Sequence, residues 1–456
     1  MQYQGLKGEI YDLEENRIAG GGEGSIYGVV GDSDIVAKVF REDKRTSYRE
    51  EKLCCMIREE MTNEQRKYIT WPLDVIYDRN GFVGYIMSRV SDMQSLTALY
   101  STEKYDLKYR LFAAINVCVA VERVHEAGQI CGDLNPQNIL INLNETDTAH
   151  AFQVMLVDAD SYHYVTEEKV YRCEVGLADY MAPEIQKKLG NGRTLRNAPL
   201  PTYTKQTDLF ALAVHVFCLL MNGCHPFACA KEENVINSNI QQLQSDFAMQ
   251  SVVAPQPIDN IKNGFFPFYE KRPGIVTPVY APEFSSLPNE IQKLFVQTFV
   301  DGYYDPSQRV MAEKWISVLK PMITLRFMTS FDTCVKGHLY FSHLSNCPYC
   351  QIDRRIADLL QKTVSFTPKN SSPQPEEETQ RSNQTNAATD RQDTNFRKAY
   401  YQHFQQNNNY NSYEEDDRMK KDKAISHALK IIFKIEMILV LGICAWVLYL
   451  ILSAMH

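Results

Sequence analysis

Residues 130–141 read ICGDLNPQNILI, and no other stretch of the chain narrows the choice of fold as far. A proline-containing turn separates Asp133 from Asn138 and leads into an apolar segment typical of a strand. A carboxylate in such a turn can orient a hydroxyl nucleophile and accept its proton. An amide five residues later can ligate Mg²⁺ through its oxygen. The stretch therefore predicts a site that combines a general base with a divalent cation.

A second acidic position follows the next predicted strand. Residues 152–157 are mostly apolar, and they end at Asp158, with Asp160 two residues further on. A carboxylate at the end of a strand is well placed to ligate a hard cation. Any one of these acids can equally be a turn or cap residue. Their ordered combination with residues 130–141 favours a functional site.

A glycine-rich run lies upstream, where residues 18–30 read IAGGGEGSIYGVV. Glycines let backbone N–H groups approach a polyphosphate without a Cβ clash. Residues 34–40 then predict a buried strand that contains Lys38, which needs an anionic partner unless it reaches water at a sheet edge. The helix predicted over 48–60 offers Glu51 as that partner, with Glu50 as the alternative, because helix phase does not decide between neighbours.

In this order and spacing, the segments resemble a eukaryotic-like protein kinase over roughly residues 8–320. Lys38 is similar to the family's strand lysine, Asp133 with Asn138 to its catalytic loop, and Asp158 to its metal-binding acid. Three later stretches extend the resemblance: YMAPE at 180–184, TDLFALA at 207–213 and DPSQR at 305–309. These stretches favour a protein kinase over a small-molecule phosphotransferase. The GGEG, GDLNPxN and DxDS patterns resemble a divergent bacterial branch of Ser/Thr kinases.

The resemblance implies an α+β, two-lobed protein-kinase-like fold with an N-lobe over 8–90 and a C-lobe over 91–325. It also implies ATP, Mg²⁺ (or Mn²⁺) and Ser or Thr hydroxyls of protein substrates. Lys38, held by Glu51, is expected to hold the α/β-phosphates, while Asp133 activates the acceptor hydroxyl. Asn138 and Asp158 are expected to hold the magnesium ion.

Further residues take supporting roles in the same resemblance. The positions expected around ATP, besides Lys38, are Gly20, Gly21, Gly22, Glu23, Gly24, Ile26, Ala37, Met87, Ser88 and Val90. Asp208 is expected to brace the catalytic loop. Arg309 is expected to pair with Glu184. These last three residues are structural rather than catalytic.

Three departures from the family pattern bear on activity. Gly132 stands where the family has arginine, so a phosphorylated activation segment lacks its usual basic partner and we expect no such switch. Asn135 replaces a lysine that carries charge to the phosphoryl group, so we expect slow turnover. Asp160 adds an acid that could hold a metal or mark an altered activation segment. We favour an active kinase, with a weak or inactive pseudokinase that scaffolds partners at a membrane as the alternative.

A small Cys/His module is predicted over 330–360. Two thiolates in a C-x-x-C turn, together with a distant Cys/His pair, predict a four-ligand structural Zn²⁺ knuckle. Its expected ligands are Cys334, His338, Cys347 and Cys350. His343 is a rival to His338, and reduced thiols without metal are the alternative. The N-terminus shows no secretory signal pattern, which with the scattered cysteines indicates a reducing compartment.

The C-terminal part differs in composition. Residues 363–423 are rich in Asn and Gln and predict a disordered linker. The uncharged run 437–455 predicts a single C-terminal transmembrane helix, and the basic residues before it place the kinase-like region on the cytoplasmic side. The expected partners are protein substrates and the lipid bilayer. The net charge of −8 argues against nucleic-acid binding; the oligomeric state stays open.

Overall fold

The computed structural model describes residues 1–59, 61–100, 105–144, 151–190, 195, 198–232, 254–324 and 327–364. The predicted transmembrane helix at 437–455 lies outside these ranges, as does the predicted linker apart from its first two residues. Within the described ranges, no helix is both long enough and apolar enough to cross a membrane.

The N-lobe is built on a closed antiparallel sheet of six strands. The strand order is β1-β2-β3-β4-β6-β5, and β5 pairs back to β1. Inside the sheet lies a small apolar core that includes Leu13, Ile76 and Ile86. The strands are β1 (Gln2–Gly5), β2 (Ile10–Gly20), β3 (Gly24–Val29), β4 (Asp32–Phe40), β5 (Pro72–Asp78) and β6 (Gly81–Ser88). The strand predicted over 34–40 is β4.

Two helices complete this lobe, α1 (Ser47–Arg58) and α2 (Asn63–Arg66). Thr46 caps α1, because its hydroxyl accepts the Arg49 N–H at 3.3 Å. Helix α1 packs on β5 and β6 and buries Lys52, Leu53 and Met56. This buried stripe decides which side chains of α1 face the rest of the molecule.

The C-lobe is centred on two long helices, α3 (Leu107–Glu126) and α5 (Lys205–Leu220). Asp106 caps α3 by accepting two backbone N–H bonds, and α5 is buried along its whole length after its first two residues. The other helices of this lobe are α4 (Pro183–Leu189), α6 (Pro257–Lys262), α7 (Asn289–Val296), α8 (Gly302–Tyr304) and α9 (Ala312–Ile323). Helix α9 packs against α3, and Phe217 of α5 is surrounded by other aromatic rings.

Short strand pairs carry the segments of interest between these helices. Strands β7 (Met93–Ser95), β8 (Ile139–Asn142) and β9 (Val154–Leu156) form one small sheet, and the loop 131–138 leads into β8. Ile139 pairs with Leu156, so the entry to β8 lies beside the exit from β9. Two further antiparallel strand pairs follow: β10 (Tyr164–Val165) with β11 (Val170–Tyr171), and β12 (Ala230–Lys231) with β13 (Ile275–Val276).

A small module follows the C-lobe. It comprises α10 (Phe327–Ser330), β14 (Phe331–Thr333), β15 (Leu339–Phe341) and α11 (Pro348–Val364). Arg355 of α11 fastens it to the C-lobe by donating to the Ala281 carbonyl at 2.8 Å and to Glu283 at 3.1 Å. Helix α11 runs to Val364, so it includes the first two residues of the predicted linker.

Candidate active site

The loop 131–138 is fixed from below by Asp208, near the start of α5. One Asp208 oxygen accepts the Cys131 N–H at 2.8 Å, and the other accepts the Gly132 N–H at 2.9 Å. His125 of α3 lies 3.0 Å from the same carboxylate, which is almost completely buried. Two backbone bonds from successive residues leave the loop little freedom. The structure therefore gives Asp208 the bracing contacts that the sequence predicts.

Asp133 is the acid that this loop presents. Its two oxygens accept hydrogen bonds from the amides of Asn135 at 2.9 Å and Asn138 at 3.2 Å. Burial raises the pKa of Asp133, and the nearby carboxylate of Asp158 raises it further. Asn135 thus acts on the acid itself: it orients the Asp133 carboxylate with an uncharged donor.

Gly132 has a backbone conformation that few other residues adopt, with φ of +74°. A Cβ placed on it would lie 3.0 Å from Cβ and 3.1 Å from Sγ of Cys173, which follows β11. The space beside Gly132 is therefore filled by Cys173. Glycine fits at position 132 for both steric and conformational reasons.

Asp158 and Asn138 lie at neighbouring strand ends, as expected for two ligands of one cation. The Val157 N–H donates to the Asn138 carbonyl at 3.0 Å. Asn138 uses its amide nitrogen to reach Asp133, which leaves its side-chain oxygen for a metal. Burial raises the pKa of Asp158, and Asp160 raises it further against the opposing charge of Lys38. A divalent cation stabilises the charged form of a carboxylate whose pKa is raised in this way. The ligand atoms present, a carboxylate oxygen and an amide oxygen, are of the kind that Mg²⁺ prefers.

Lys38 is buried on β4 and contacts two carboxylates of the segment after β9. Its Nζ lies 3.1 Å from Asp158 Oδ1 and 2.9 and 3.0 Å from the two oxygens of Asp160. The Tyr85 hydroxyl donates to Asp160 at 2.7 Å. Burial opposes the charge of Lys38, yet the carboxylates raise its pKa above the ordinary value. The ammonium group is therefore fully charged.

The prediction that Glu51 pairs with Lys38 is wrong. Glu51 lies on the exposed side of α1, where it accepts from Lys169 Nζ at 2.6 Å. Glu50, the alternative, lies by Tyr77 instead, where the pKa of the Tyr77 hydroxyl is raised by burial and by its hydrogen bond to the Glu50 carboxylate. The buried stripe of α1 brings Lys52 inward, so the helix presents a cation where the sequence predicts an acid.

Lys52 bonds to the backbone of the segment after β9. Its Nζ donates to the carbonyl oxygens of Asp160 at 2.5 Å and Tyr162 at 2.6 Å. Burial lowers the pKa of Lys52 to about 8. These contacts join α1 to the same short segment that holds Lys38.

The glycine-rich loop connects β2 to β3. Gly20 ends β2, Gly24 begins β3, and the Gly21 N–H donates to the Gly24 carbonyl at 2.9 Å to close the turn. A Cβ at Gly24 would lie 2.4 Å from the Val39 carbonyl oxygen, so only glycine fits there. No neighbour restricts the Cβ positions of Gly21 and Gly22. Glu23 accepts from Arg49 at 2.9 Å, which ties the loop to α1.

The expected nucleotide-binding positions on β4 and β6 divide between two faces. Ala37 belongs to the core inside the closed sheet, whereas Val36 packs with Met87 in the main core. Side chains alternate along a strand, so Val36 shares the face of Lys38 and Ala37 does not. The assignment of Ala37 to the ATP site is therefore corrected to Val36. Ile26 pairs with Lys38 across β3 and β4, while Ser88 ends β6 and Val90 follows it.

Arg309 and Glu184 form the ion pair that the sequence predicts, with the Arg309 side chain fully buried and that of Glu184 30% exposed. Both guanidinium nitrogens of Arg309 lie 2.7 Å from the Glu184 oxygens. The same guanidinium donates to the carbonyls of Gln206 at 2.8 Å and Gly302 at 3.1 Å. Such a bidentate pair fixes both distance and angle between its elements.

The predicted Cys/His ligands also lie together, in the module after the C-lobe. The ligand atoms of Cys334, His338, Cys347 and Cys350 all lie within 4.8 Å of one another. The Cys334 and Cys350 sulfurs are 3.7 Å apart, and His338 Nδ1 lies 3.6 and 3.5 Å from the sulfurs of Cys347 and Cys350. Tetrahedral Zn²⁺ with bonds of about 2.3 Å to sulfur sets sulfurs about 3.8 Å apart, so the spacing fits.

Two further observations concern this cluster. Burial opposes the thiolate of Cys334, but backbone N–H groups of His338 and Lys336 hold its pKa below the ordinary value. His343 points elsewhere, with Nε2 3.2 Å from the Ser285 carbonyl. His338 therefore belongs to the cluster and His343 does not.

Comparison with known proteins agrees with this geometry. A family model described as the protein kinase domain matches residues 13–317, more than half of the chain. Protein kinase YegI of Escherichia coli O157:H7 is 24% identical over 353 residues, and YegI of strain K12 is 24% identical over 355 residues. Both matches cover 74% of this chain and 48% of the relative, so the chain spans about half of their length. The meiosis-specific serine/threonine-protein kinase mek1 of Schizosaccharomyces pombe is 30% identical over 127 residues, which is 28% of each chain.

Proposed function

Because the chain belongs to the protein kinase family, we propose that it transfers the γ-phosphoryl group of ATP to Ser or Thr hydroxyls of protein substrates. The observation that carries the proposal is Asp133, oriented by Asn135 and Asn138 in a loop that Asp208 fixes. The choice of Ser and Thr is supported by relatives such as mek1 and ppk21 of Schizosaccharomyces pombe, both serine/threonine-protein kinases.

Asp133 accepts the proton of the acceptor hydroxyl in this mechanism. Its raised pKa brings the carboxylate nearer to the basicity that proton transfer needs. The amides that hold its oxygens keep it in one orientation, so less motion is required when the acceptor arrives. Asn135 brings no charge to the phosphoryl group, which makes positioning the larger part of catalysis here.

Lys38 holds the α/β-phosphates as a permanent cation. Its ammonium group stays charged because the neighbouring carboxylates raise its pKa. The glycine-rich loop between β2 and β3 covers the phosphates with backbone N–H groups. The Asn138 side-chain oxygen and Asp158 would hold Mg²⁺, which would supply charge stabilisation for the transferring group.

The test uses the full-length chain with ATP, MgCl₂ and a generic basic protein as acceptor. We expect phosphoserine or phosphothreonine in the chain or the acceptor, and a loss of at least about 100-fold in Asp133→Asn. The Glu64→Gln variant, changed at an exposed α2 position, is the matched control. Nucleotide binding without transfer would instead establish a pseudokinase scaffold, and phosphotyrosine alone would contradict the acceptor class.

We also propose a membrane tether, supported by sequence alone. Residues 437–455 form an uncharged run long enough to cross a bilayer, and six basic residues lie between positions 418 and 434. Expression of the full chain should give protein that resists alkaline extraction of membranes. A chain with residues 437–455 replaced by a Gly/Ser segment should be extracted, and extraction of both would contradict the tether.

We propose that the Cys/His cluster binds Zn²⁺ and has a structural role. A closed set of four ligands leaves no open position for substrate. The purified chain should contain about one zinc atom per molecule, and Cys347→Ser should lose it. His343→Asn, outside the cluster, should retain the metal. Full occupancy in Cys347→Ser would show that zinc is held elsewhere.

A further inference from the structure

Lys38 has an unusual set of partners for a lysine on this strand. In the described part of the chain, the carboxylates within 4.0 Å of its Nζ belong to Asp158 and Asp160. Both lie in one short segment after β9, about 120 residues from Lys38 in sequence. Helix α1 contributes no acid to this contact, because Glu51 faces Lys169.

The two acids differ in burial and in the number of contacts that each makes. The Asp160 side chain is 1% exposed, and both of its oxygens lie within 3.0 Å of Lys38 Nζ. The Asp158 side chain is 45% exposed and contacts Lys38 through one oxygen. Asp158 therefore keeps an oxygen for a cation, while Asp160 is engaged by Lys38 and by the Tyr85 hydroxyl.

Asp160 is in turn held through its own backbone. Lys52 of α1 donates to the carbonyl oxygens of Asp160 and Tyr162, so a buried cation joins the helix to this segment. Hydrogen bonds from a charged donor are stronger than those between neutral groups. Helix α1 thus orients Lys38 indirectly. Lys52 holds the segment after β9, and Asp160 of that segment holds Lys38.

We propose that Asp160 is the positioning residue of Lys38 and that Lys52 fixes Asp160 in place. The acid that orients the phosphate-binding lysine comes from the metal-binding segment instead of from α1. Asp158 and Asp160 then divide two tasks, since Asp158 serves the cation and Asp160 serves Lys38. This inference rests on the proposed phosphoryl transfer.

The test compares Asp160→Asn, Asp158→Asn and Glu51→Gln in the full-length chain. For each variant, kcat and KM for ATP are measured across a range of Mg²⁺ concentrations. The Asp160→Asn change keeps shape and removes charge, and we expect kcat/KM to fall about 10- to 100-fold, as for the loss of a charged hydrogen bond. The Mg²⁺ concentration for half-maximal rate should stay within about twofold of the wild type, because Asp160 is not a metal ligand.

The other two variants separate the alternatives. Asp158→Asn should raise the Mg²⁺ requirement at least about tenfold. Glu51→Gln should leave kcat/KM unchanged, because Glu51 touches Lys169 and not Lys38. A raised Mg²⁺ requirement in Asp160→Asn would make Asp160 a metal ligand and overturn the proposal. A loss in Glu51→Gln as large as that in Asp160→Asn would also overturn it.

Lys52→Met provides an independent measurement. The change preserves an unbranched side chain but removes the ammonium that holds two carbonyls. We expect kcat/KM to fall in the same direction as in Asp160→Asn, and the double variant should lose less than the product of the two single losses. Independent, multiplicative losses would mean that Lys52 does not act through Asp160. A melting temperature for each variant identifies unfolding as a separate cause.

The outcome for the wild type separates this inference from the proposed function. An active wild type with a fully active Asp160→Asn variant would overturn only the role of Asp160. A wild type that neither binds ATP nor transfers phosphate would overturn both, because Lys38 would then have no phosphate to hold.

Discussion

Two ion pairs of the molecule each place a buried cation against two carboxylate oxygens: Arg309–Glu184 and Lys38–Asp160. The two pairs nevertheless join different parts of the molecule. The Arg309 pair connects elements of the C-lobe, and the same guanidinium also reaches two backbone carbonyls. The Lys38 pair connects β4 of the N-lobe to the segment after β9. Arg309 has its donors committed inside one lobe, whereas the Lys38 ammonium must also meet a nucleotide. The first pair therefore serves stability and the second serves positioning.

Removal of Arg309 tests the stabilising half of this comparison. Arg309→Met keeps much of the buried volume but leaves Glu184 without its cation. Loss of one partner of a fully buried pair typically costs about 3–5 kcal/mol, and because the Glu184 side chain is 30% exposed we expect the free energy of unfolding to fall by the lower end of that range. Urea unfolding followed by tryptophan fluorescence measures it. Arg123→Met, which breaks a partly exposed pair on α3, is the control and should change much less.

The pH dependence of stability tests a second C-lobe contact. His215 of α5 lies between the Tyr100 hydroxyl at 2.6 Å and the Leu134 carbonyl of the catalytic loop at 2.9 Å. Burial lowers the pKa of His215 to about 4. The unfolded chain binds this proton near pH 6.5, so it binds more protons than the folded chain between pH 6.5 and 4, and stability falls as the pH falls through that window.

The expected contribution of His215 is at most about 3 kcal/mol over this range. The unfolding free energy of the wild type and of His215→Gln is measured from pH 7.5 to 4. Because other groups titrate in both proteins, the difference between the two curves isolates His215. We expect the variant to lose less stability on acidification, and parallel curves would contradict the assignment.

Tyr85→Phe tests the N-lobe pair with a smaller change. It removes the hydroxyl that donates to Asp160 but leaves the Lys38 contact in place. Loss of a hydrogen bond to a charged group predicts a destabilisation of about 1.5 kcal/mol. Thermal unfolding measures this, and Tyr304→Phe, at an exposed position of α8, is the comparison. A Tyr85→Phe protein as stable as the wild type would show that the hydroxyl does not support Asp160.

The smallest expected effect belongs to Lys169→Gln, in the turn between β10 and β11. Lys169 pairs with Glu51 near the surface, where solvent screens the charges. We expect no measurable change in melting temperature or in kcat/KM. A clear loss of activity would show that the Glu51–Lys169 pair contributes to catalysis and would contradict the comparison.

The C-lobe site residues could be predicted because each belongs to a short local pattern. Asp133 and Asn138 lie five residues apart, and the contacts of Asp208 and Arg309 follow from the family resemblance. The residues of the Cys/His cluster were also predictable from spacing, although only the structure separates His338 from His343. At these positions, residues that lie close together in the sequence supply the functional groups of the site.

The partner of Lys38 could not be predicted in this way. Helix phase did not decide between the neighbours Glu50 and Glu51, and packing turned neither of them but Lys52 inward. The acid that did reach Lys38 lies 122 residues away in sequence, where no local pattern points to it. The assignment of Ala37 to the expected ATP site was avoidable, because side chains alternate along a strand and Val36 therefore lies on the same face as Lys38.

Gly132 limits the sequences into which this kinase can evolve. An arginine at this position would place a Cβ in a left-handed backbone conformation, at a cost of about 1–2 kcal/mol, and against Cys173. Accommodating it would require both this loop and the chain at Cys173 to move, so a substitution at position 132 alone does not supply the loop with a basic partner for a phosphate.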